Sequence, residues 1–379
     1  MPEPILVPSP RFRSTSQFIT QISLPSDSYV LSITSIPGQS RYAVSTSSPS
    51  SNAIQIYDKS TLRPVKNFSG HQQGNSYLRA IDGLGLVSSG KDGYIRIWDQ
   101  RSSGSSCAMQ FASPNSRPIL SFDVSSNLIA GGTILQGNDT LILYWDTRNA
   151  VPSVPVRTHS STHSDDITAV HFGGSGDEKL LLSASSDGLV SLSNPLEDDE
   201  DEAVVHMANW GCSISQCGFF DSGNTIWAAS DMETFSLWNA ELDPNPILNV
   251  DVRAPSVHEG GRGRQWVTDY LIGCGVGQEA LRMYVGSNEG DVALITPEDD
   301  KWTLHSLWTH GHQGVVRSAF WDEETGNLIT GGEDAKLSVW PGLVELKDTD
   351  ATMEDTSPGV ILTKKREYSD DDDNMEVDD

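Results

Sequence analysis

Cysteine is scarce in this chain, and so are long apolar runs. The four cysteines, Cys107, Cys212, Cys217 and Cys274, include no CxxC pair and have no histidine beside them at metal-ligand spacing. We therefore expect reduced thiols inside a cell, with no disulfide framework and no metal site. No segment is apolar for long enough to form a secretory signal or to cross a membrane, which predicts a soluble intracellular protein.

Basic side chains are also few. Lys and Arg number 25 against 52 Asp and Glu, so the formal net charge is −27. Because phosphate-backbone binding depends on clustered Lys and Arg, we expect no direct nucleic-acid partner. The sequence offers no activated thiol and no phosphate cradle, since GCGVG at positions 273–277 lacks the helix and spacing of a dinucleotide fingerprint. We therefore predict a protein without a cofactor and without catalytic activity.

What the chain does contain is a short motif that recurs along most of its length. The motif reads IYD, IWD, YWD, LWN and VW in its clearest copies. The aligned positions are Tyr57, Trp98, Trp145, Ser193, Trp238, Ile295 and Trp340, with successive gaps of 41, 47, 48, 45, 57 and 45 residues. Such a period, punctuated by short strands and glycine turns, is typical of propeller blades, and the motif resembles the WD-repeat (WD40) β-propeller family.

The strand pattern between these motifs predicts an all-β fold, a single seven-bladed β-propeller of four-stranded antiparallel blades over residues 17–343. The predicted blades span residues 29–68, 77–111, 119–157, 163–206, 213–250, 265–307 and 312–340. Blade seven is one strand short, and the alternating segment 17–24 supplies that strand, which closes the ring and removes open sheet edges. Residues 1–16 are predicted to be a flexible N-terminus and residues 344–379 a disordered acidic tail.

Three blades carry polar side chains at the offsets of a buried hydrogen-bond network. The sets are His71, Ser88, Asp92 and Trp98 in blade two, His312, Thr330, Asp334 and Trp340 in blade seven, and His163, Ser183 and Asp187 in blade four, where Ser193 replaces the indole. A chain of bonds from carboxylate to imidazole to hydroxyl to indole rigidifies a sheet with few long apolar strands. The same residue types form hydrolytic triads, but their recurrence in three blades without a nucleophile elbow favours a structural role.

The resemblance extends to the fine pattern of individual blades. Blade four, HSDDITAVHFGGSGDEKLLLSASSDGLVSL, blade seven, GHQGVVRSAFWDEETGNLITGGEDAKLSVW, and the stretches LILYWDTR and TDYLIG resemble the family of WD repeat-containing protein 89. The resemblance covers roughly residues 28–340. The resemblance implies a propeller without catalytic activity. This chain departs from the family pattern at its tail, which is acidic where a basic extension is expected.

Loops from all blades converge around the central channel of a propeller, and partners bind mainly there. The candidate partner-binding residues on this top face are Asp166, Thr168, Asp251, Arg253, Val315 and Arg317. The alternative is that each is an ordinary solvated polar residue. The GGRGR stretch at positions 260–264 is interpreted as a flexible loop rather than as an RNA contact.

Acidic segments suggest the chemistry of a partner. Positions 197–202 read EDDEDE, and residues 345–379 carry thirteen acidic and four basic side chains, a net charge of −9 that leaves −18 on the rest of the chain. These segments favour basic protein partners such as histones or ribosomal proteins, and the alternative is a tail that only confers solubility. Ser369 precedes four aspartates and is a candidate phosphorylation site. The KKR at 364–366 agrees with nuclear rather than cytoplasmic residence.

A second class of function rests on two copies of a WDxR pattern. WDQR ends at Arg101 and WDTR ends at Arg148, in consecutive blades. Propellers that serve as substrate receptors of cullin-RING ubiquitin ligases dock on the ligase adaptor through this pattern, although it also occurs in many propellers that bind no ligase. The partners predicted from the sequence are therefore basic proteins or a ligase adaptor, bound by a monomeric propeller within a complex.

Overall fold

The computed structural model describes residues 5–48, 51–99, 107–149, 154–174, 179–255, 266–276, 281–297 and 301–342. Within these ranges the chain forms seven sheets, six antiparallel sheets of four strands and one to which a fifth strand is added in parallel. Each sheet is one blade, so the prediction of an all-β, seven-bladed propeller is confirmed. The acidic tail predicted at residues 344–379 lies outside the described residues.

Blades one to five each use four consecutive strands from the channel outward, whereas the two strands that precede blade one join blades six and seven. Two strands precede blade one, β1 (Ile5–Thr15) and β2 (Thr20–Ser23). Blade one contains β3 (Tyr29–Ser35), β4 (Arg41–Ser47), β5 (Ile54–Asp58) and β6 (Pro64–Phe68). Blade two contains β7 (Asn75–Ile81), β8 (Gly85–Gly90), β9 (Tyr94–Trp98) and β10 (Met109–Ala112). Blade three contains β11 (Ile119–Ser125), β12 (Leu128–Thr133), β13 (Ile142–Asp146) and β14 (Arg157–His159).

Blade four contains β15 (Ile167–Gly173), β16 (Leu180–Ser185), β17 (Leu189–Ser193) and β18 (Val204–Asn209), with the one-turn helix α1 (Glu200–Ala203) before its outer strand. Blade five contains β19 (Ile214–Phe220), β20 (Thr225–Ser230), β21 (Thr234–Asn239) and β22 (Leu248–Asp251). Blade six contains β23 (Tyr270–Val276), β24 (Leu281–Gly286), β25 (Val292–Thr296) and β26 (Lys301–Trp308). Blade seven contains β27 (Val316–Asp322), β28 (Asn327–Gly332) and β29 (Lys336–Trp340).

The hydrophobic core lies between neighbouring blades. Side chains alternate along each strand, so each sheet buries apolar groups on both faces. Between blades two and three, for example, Ile95 and Ile97 pack with Phe122 and Trp145. All seven repeat positions identified in the sequence fall in the third strand of a blade, where they contribute to these interfaces. The spacing of the repeat therefore corresponds to the length of chain that forms one blade and its apolar interface with the next blade.

The ring closes through an N-terminal strand, as predicted. Strand β2 pairs antiparallel with β29, with Thr20 opposite Val339 and Ser23 opposite Lys336. It supplies the outer strand of blade seven. Because the first and last segments of the propeller share one sheet, neither end leaves that sheet incomplete.

The prediction of a flexible N-terminus at residues 1–16 is wrong for most of that segment. Strand β1 pairs in parallel with β26 and becomes the fifth strand of blade six, in a register that shifts between Pro8 and Arg13. Leu6 is buried, and it packs in the cluster that contains Trp302 and Leu304. Four prolines made this segment look irregular, but proline is compatible with a strand at a sheet edge, where one row of N–H groups has no partner.

Several predicted blade limits are also corrected. The limits at 111, 157, 206, 250 and 307 stop inside outer strands, which continue to Ala112, His159, Asn209, Asp251 and Trp308, and the first strand of blade two begins at Asn75. Outer strands are exposed on one side and carry less apolar sequence, so hydrophobic patterning locates their ends poorly.

Strand direction defines two faces of the disc. The top face is the one at which the first strand of each blade begins, and it also receives the turn between the second and third strands. The bottom face carries the turn between the first and second strands and the turn between the third and fourth. This alternation follows from the antiparallel order of every blade.

Candidate protein-interaction surface

The four polar side chains of blade two meet in one buried chain of hydrogen bonds. The Nδ1 atom of His71 lies 2.7 Å from Oδ1 of Asp92, and Nε2 lies 2.8 Å from Oγ of Ser88. The indole N–H of Trp98 donates to the same hydroxyl oxygen at 2.9 Å. Gly90 makes room for the imidazole, since a Cβ atom there would lie 2.2 Å from the ring. The network joins the turns of the top face to the third strand.

Blade seven repeats this arrangement and blade four forms part of it. In blade seven, His312 lies 3.0 Å from Asp334 and 2.7 Å from Thr330, which accepts the indole N–H of Trp340 at 2.8 Å. The blade-four network is weaker. His163 lies 2.8 Å from Oγ of Ser183 but 3.5 Å from Asp187, and the Ser193 hydroxyl instead approaches the carbonyl of Leu181 at 3.5 Å.

Burial and protonation favour a structural role for these groups. The hydroxyl-bearing residues Ser88, Ser183 and Thr330 are completely buried, so no substrate reaches them. Burial lowers the pKa of His71 against the opposing effect of Asp92, which keeps the imidazole neutral. Burial by itself would raise the pKa of Asp92, but the hydrogen bond from His71, together with the charge of Arg96 and the backbone N–H of Gln72, outweighs it and lowers that pKa to about 2.

Two of the predicted top-face residues link neighbouring blades. Oδ1 of Asp166 accepts the backbone N–H of Leu135 from blade three at 2.7 Å. The hydroxyl of Thr168 donates to the carbonyl of Ile214 in blade five at 2.7 Å. These two side chains therefore link blade four to blades three and five through hydrogen bonds within the protein.

The other predicted residues fall into two separate pairs. Arg253 contacts Asp251 through Nε and Nη2, at 2.9 and 2.7 Å, beside the outer strand of blade five. In blade seven, Nε of Arg317 donates to Glu333 at 2.7 Å, and the carbonyl of Val315 accepts the N–H of Glu333 at 3.0 Å. The six candidates thus do not form one site, and both arginines are neutralised by carboxylates of their own blade.

Carboxylates that the sequence pattern does not single out dominate the described part of the top face in blades four to seven. They occupy the turns between second and third strands and the residues that precede first strands, namely Asp165, Asp231, Glu233, Asp269, Glu289 and Glu333. Among them Met232 exposes 68 % of its surface, and Leu135 on blade three exposes 37 %. Each carboxylate is unremarkable in the linear sequence. The signal that identifies them is their shared position at the top end of a blade.

Glu233 shows how these carboxylates are held. Its Oε2 accepts the backbone N–H of Leu271 in blade six at 2.6 Å. The pKa of Glu233 is raised because burial disfavours its charge, which outweighs the hydrogen bond from Leu271 and the nearby Arg253. Asp231 beside it is exposed.

The acidic segment at 197–202 is partly engaged within the fold. Glu200, in α1, accepts backbone N–H groups of Ser160, Ser161 and Thr162 at 2.7–2.8 Å. Arg157 contacts Asp198 at 2.6 Å. This segment therefore fastens the outer side of blade four to blade three, and only part of its charge is free to act on a partner.

Several predicted features lie outside the described residues. Arg101, Ser369, the KKR stretch, the GGRGR stretch and the tail belong to this group. Arg148, the second WDxR arginine, is described: it lies near the bottom face, its side chain is 71 % exposed, and it binds Asp146 at 2.7 Å.

Across the described ranges, no group of three or more His, Cys, Asp or Glu side chains is placed to hold a metal ion. Among those same residues, no helix has the length and apolar character needed to cross a membrane.

Comparison with known proteins adds independent support. The family "WD domain, G-beta repeat" matches residues 62–99 and 302–341. WD repeat-containing protein 89 homolog of Dictyostelium discoideum is 26% identical over 371 residues, which cover 92% of this chain and 96% of that protein. WD repeat-containing protein GTS1 of Arabidopsis thaliana is 32% identical over 325 residues, or 80% of this chain and 78% of that protein.

An uncharacterized WD repeat-containing protein of Saccharomyces cerevisiae is 28% identical over 300 residues, which cover 77% of this chain and 74% of that protein. Propellers of this class generally act as non-catalytic scaffolds for protein–protein interaction. From its seven blades, its buried networks and these relatives, the chain belongs to the WD-repeat family and resembles WD repeat-containing protein 89.

Proposed function

We propose that this protein is a non-catalytic scaffold whose top face binds basic segments of nuclear proteins such as histones or ribosomal proteins. The observation that carries the proposal is the set of carboxylates at the top ends of blades four to seven, around the exposed Met232. Complementary charge steers such a partner, and the apolar side chain gives it a point of desolvated contact.

The balance of charge on this face supports the proposal. Among the described residues of this face in blades four to seven, the exposed arginines Arg253 and Arg317 are each paired with a carboxylate of the same blade. Each pair is neutral as a whole, so the carboxylates outside these two pairs set the local potential of the described part of this face. A surface of this kind attracts Lys- and Arg-rich chains over a distance that shrinks with added salt.

The acidic tail fits the same role. Residues 345–379 carry a net charge of −9, which adds a second, sequence-encoded source of attraction for basic proteins. We propose that the tail assists the top face in escorting them, and that the protein resides in the nucleus, in keeping with KKR at 364–366.

Binding of purified core histones to the full chain, measured by calorimetry at several salt concentrations, tests the proposal. We expect affinity to fall as salt rises, to fall at least about tenfold in the variant Asp231→Lys/Met232→Ser, and to fall again without residues 345–379. The control is Glu241→Lys, an exposed position in the bottom-face turn of blade five. Equal losses in the top-face variant and in the control would contradict the proposal.

A second candidate function is that of a substrate receptor of a cullin-RING ubiquitin ligase. The exposure of Arg148 near the bottom face favours it, because a docking arginine has to be accessible. Arg101 and Arg148 would contact the adaptor. Replacing both by alanine and measuring recovery of the adaptor with the purified protein tests this role, and unchanged recovery rules it out.

A further inference from the structure

A groove of about 810 Å³ opens between blades three and four, on the bottom side of the disc and away from the acidic top face. Its walls are the turn after the first strand of blade three, the end of β13, the start of β16 and the turn before the outer strand of blade four. The side chains that line it include Arg148, Val156, Arg157, Lys179, Leu196 and Val205.

The groove exposes aliphatic side chains side by side. Leu196 is 73 % exposed, Val156 49 % and Val205 47 %. They come from two blades but line the same groove. Single exposed aliphatic residues are ordinary on a protein surface, whereas several around one concave site are typical of a place where a partner inserts an apolar side chain.

The groove is also basic, in a chain whose net charge is −27. Among the described residues, Arg148, Arg157 and Lys179 line it together with Asp146, and Arg157 also pairs with Asp198 beyond the lining, so three cationic groups face two carboxylates. Arg157 shapes the wall by donating to the carbonyl oxygens of Pro195 and Leu196.

The two remaining cationic groups are accessible to a ligand. Arg148 uses Nε and Nη2 for Asp146, so its Nη1 donors point away from that carboxylate. Lys179 is exposed at the groove's edge.

We propose that this groove binds a short linear segment of a partner protein, in which one or two acidic side chains adjoin a leucine-like apolar side chain. The apolar side chain packs against Val156, Leu196 and Val205, and the carboxylates meet Lys179 and Arg148. The acidic top face repels the same segment, so the charge of the segment selects the groove. The propeller thus holds two partners of opposite charge on its two faces.

Selection from a phage-displayed library of random twelve-residue peptides on the intact full chain tests this inference. We expect enriched peptides to combine Asp or Glu with a neighbouring Leu, Ile or Met. Synthetic copies of them should lose at least about tenfold in affinity, measured by fluorescence anisotropy, for the variants Lys179→Glu and Leu196→Asp. Both positions are exposed, so these variants are expected to fold, and circular dichroism checks this.

The matched control is Lys91→Glu, which makes the same charge change at an exposed position of the top face. We expect it to bind the enriched peptides with unchanged affinity. The inference is overturned if the library yields no acidic and apolar combination, or if the enriched peptides bind the groove variants as tightly as the unaltered protein. Equal loss in Lys91→Glu would also overturn it, because the effect would then reflect overall charge.

Discussion

A buried ion pair joins the two ends of the ring, and we predict that removing its cation destabilises the whole propeller. Nζ of Lys59, in blade one, lies 3.0 Å from Oδ2 of Asp322, in blade seven, and their side chains are 4% and 3% exposed. Oδ2 of Asp322 also accepts hydroxyl groups of Tyr42 and Thr325, each at 2.8 Å. Lys59→Met keeps the length of the side chain and leaves a buried carboxylate without its cation.

Breaking a buried pair in this way costs about 3–5 kcal/mol. The two hydroxyl groups continue to solvate Asp322, so we expect the lower end, about 3 kcal/mol of unfolding free energy. Urea unfolding followed by tryptophan fluorescence measures this loss, with the exposed Lys91→Met as control. The double variant Lys59→Met/Asp322→Asn should be more stable than Lys59→Met, because it removes the uncompensated charge as well.

The reasoning fails if the free energy of unfolding of Lys59→Met lies within about 0.5 kcal/mol of that of the unaltered protein, since ordinary surface substitutions change it by that much. It also fails if Asp322→Asn adds a further loss in the double variant. Either result would mean that the seam depends on packing and hydroxyl hydrogen bonds rather than on the ion pair.

Three further predictions address the networks, the N-terminus and pH. Trp340→Phe should lower the free energy of urea unfolding by about 1 kcal/mol more than Trp145→Phe does. The reason is that the Trp340 indole N–H donates to Thr330, whereas the buried Trp145 indole N–H has no hydrogen-bond partner among the described residues. Equal losses of unfolding free energy would contradict a stabilising role of the network. Removing residues 1–16 should expose the edge of β26 and yield oligomers in light scattering. Removing residues 1–24 also removes β2 and should lower the midpoint temperature of thermal unfolding of the whole protein. A 1–24 deletion that stays monomeric and fully stable would argue against ring closure by β2. Burial lowers the pKa of His171 to about 4 despite the opposing charge of Asp123. Because the pKa of this histidine in the unfolded chain is about 6.5, the unfolded chain takes up the proton first, and the free energy of unfolding should decline as the pH falls from 6.5 toward 4. His171→Gln should make that decline in urea unfolding shallower, and an unchanged slope would refute the assignment.

The repeat pattern in the sequence was sufficient to predict the number of blades and the closing strand. Tyr57, Trp145 and even the atypical Ser193 were aligned correctly, because each blade repeats the same local order of strand, turn and strand. The partners of His71 and His312 followed in the same way, since each network lies within one repeat of the chain. Local spacing carries this information, so no knowledge of the ring was required.

The position of the N-terminal segment could not be predicted from the sequence. Leu6 is opposite Trp302 in a parallel pair of strands almost three hundred residues apart, and nothing near Leu6 specifies that register. The roles of the top-face candidates were equally inaccessible. Whether Asp166 faces solvent or accepts the N–H of Leu135 depends on how two blades meet. The pairing of Arg253 and Arg317 with carboxylates likewise depends on the folded chain.

By itself, the sequence determined what each repeat does: it forms a four-stranded sheet, buries a tryptophan or an equivalent side chain, and in two blades satisfies that indole through a histidine network. Only the tertiary structure decided which charges remain after neighbours pair, where Lys59 meets Asp322, and that a basic groove lies between blades three and four. The physical reason is the distance along the chain over which each kind of interaction acts. Strand patterning and turn chemistry act over a few residues, whereas ion pairs, blade interfaces and grooves depend on contacts between segments that only the closed ring brings together.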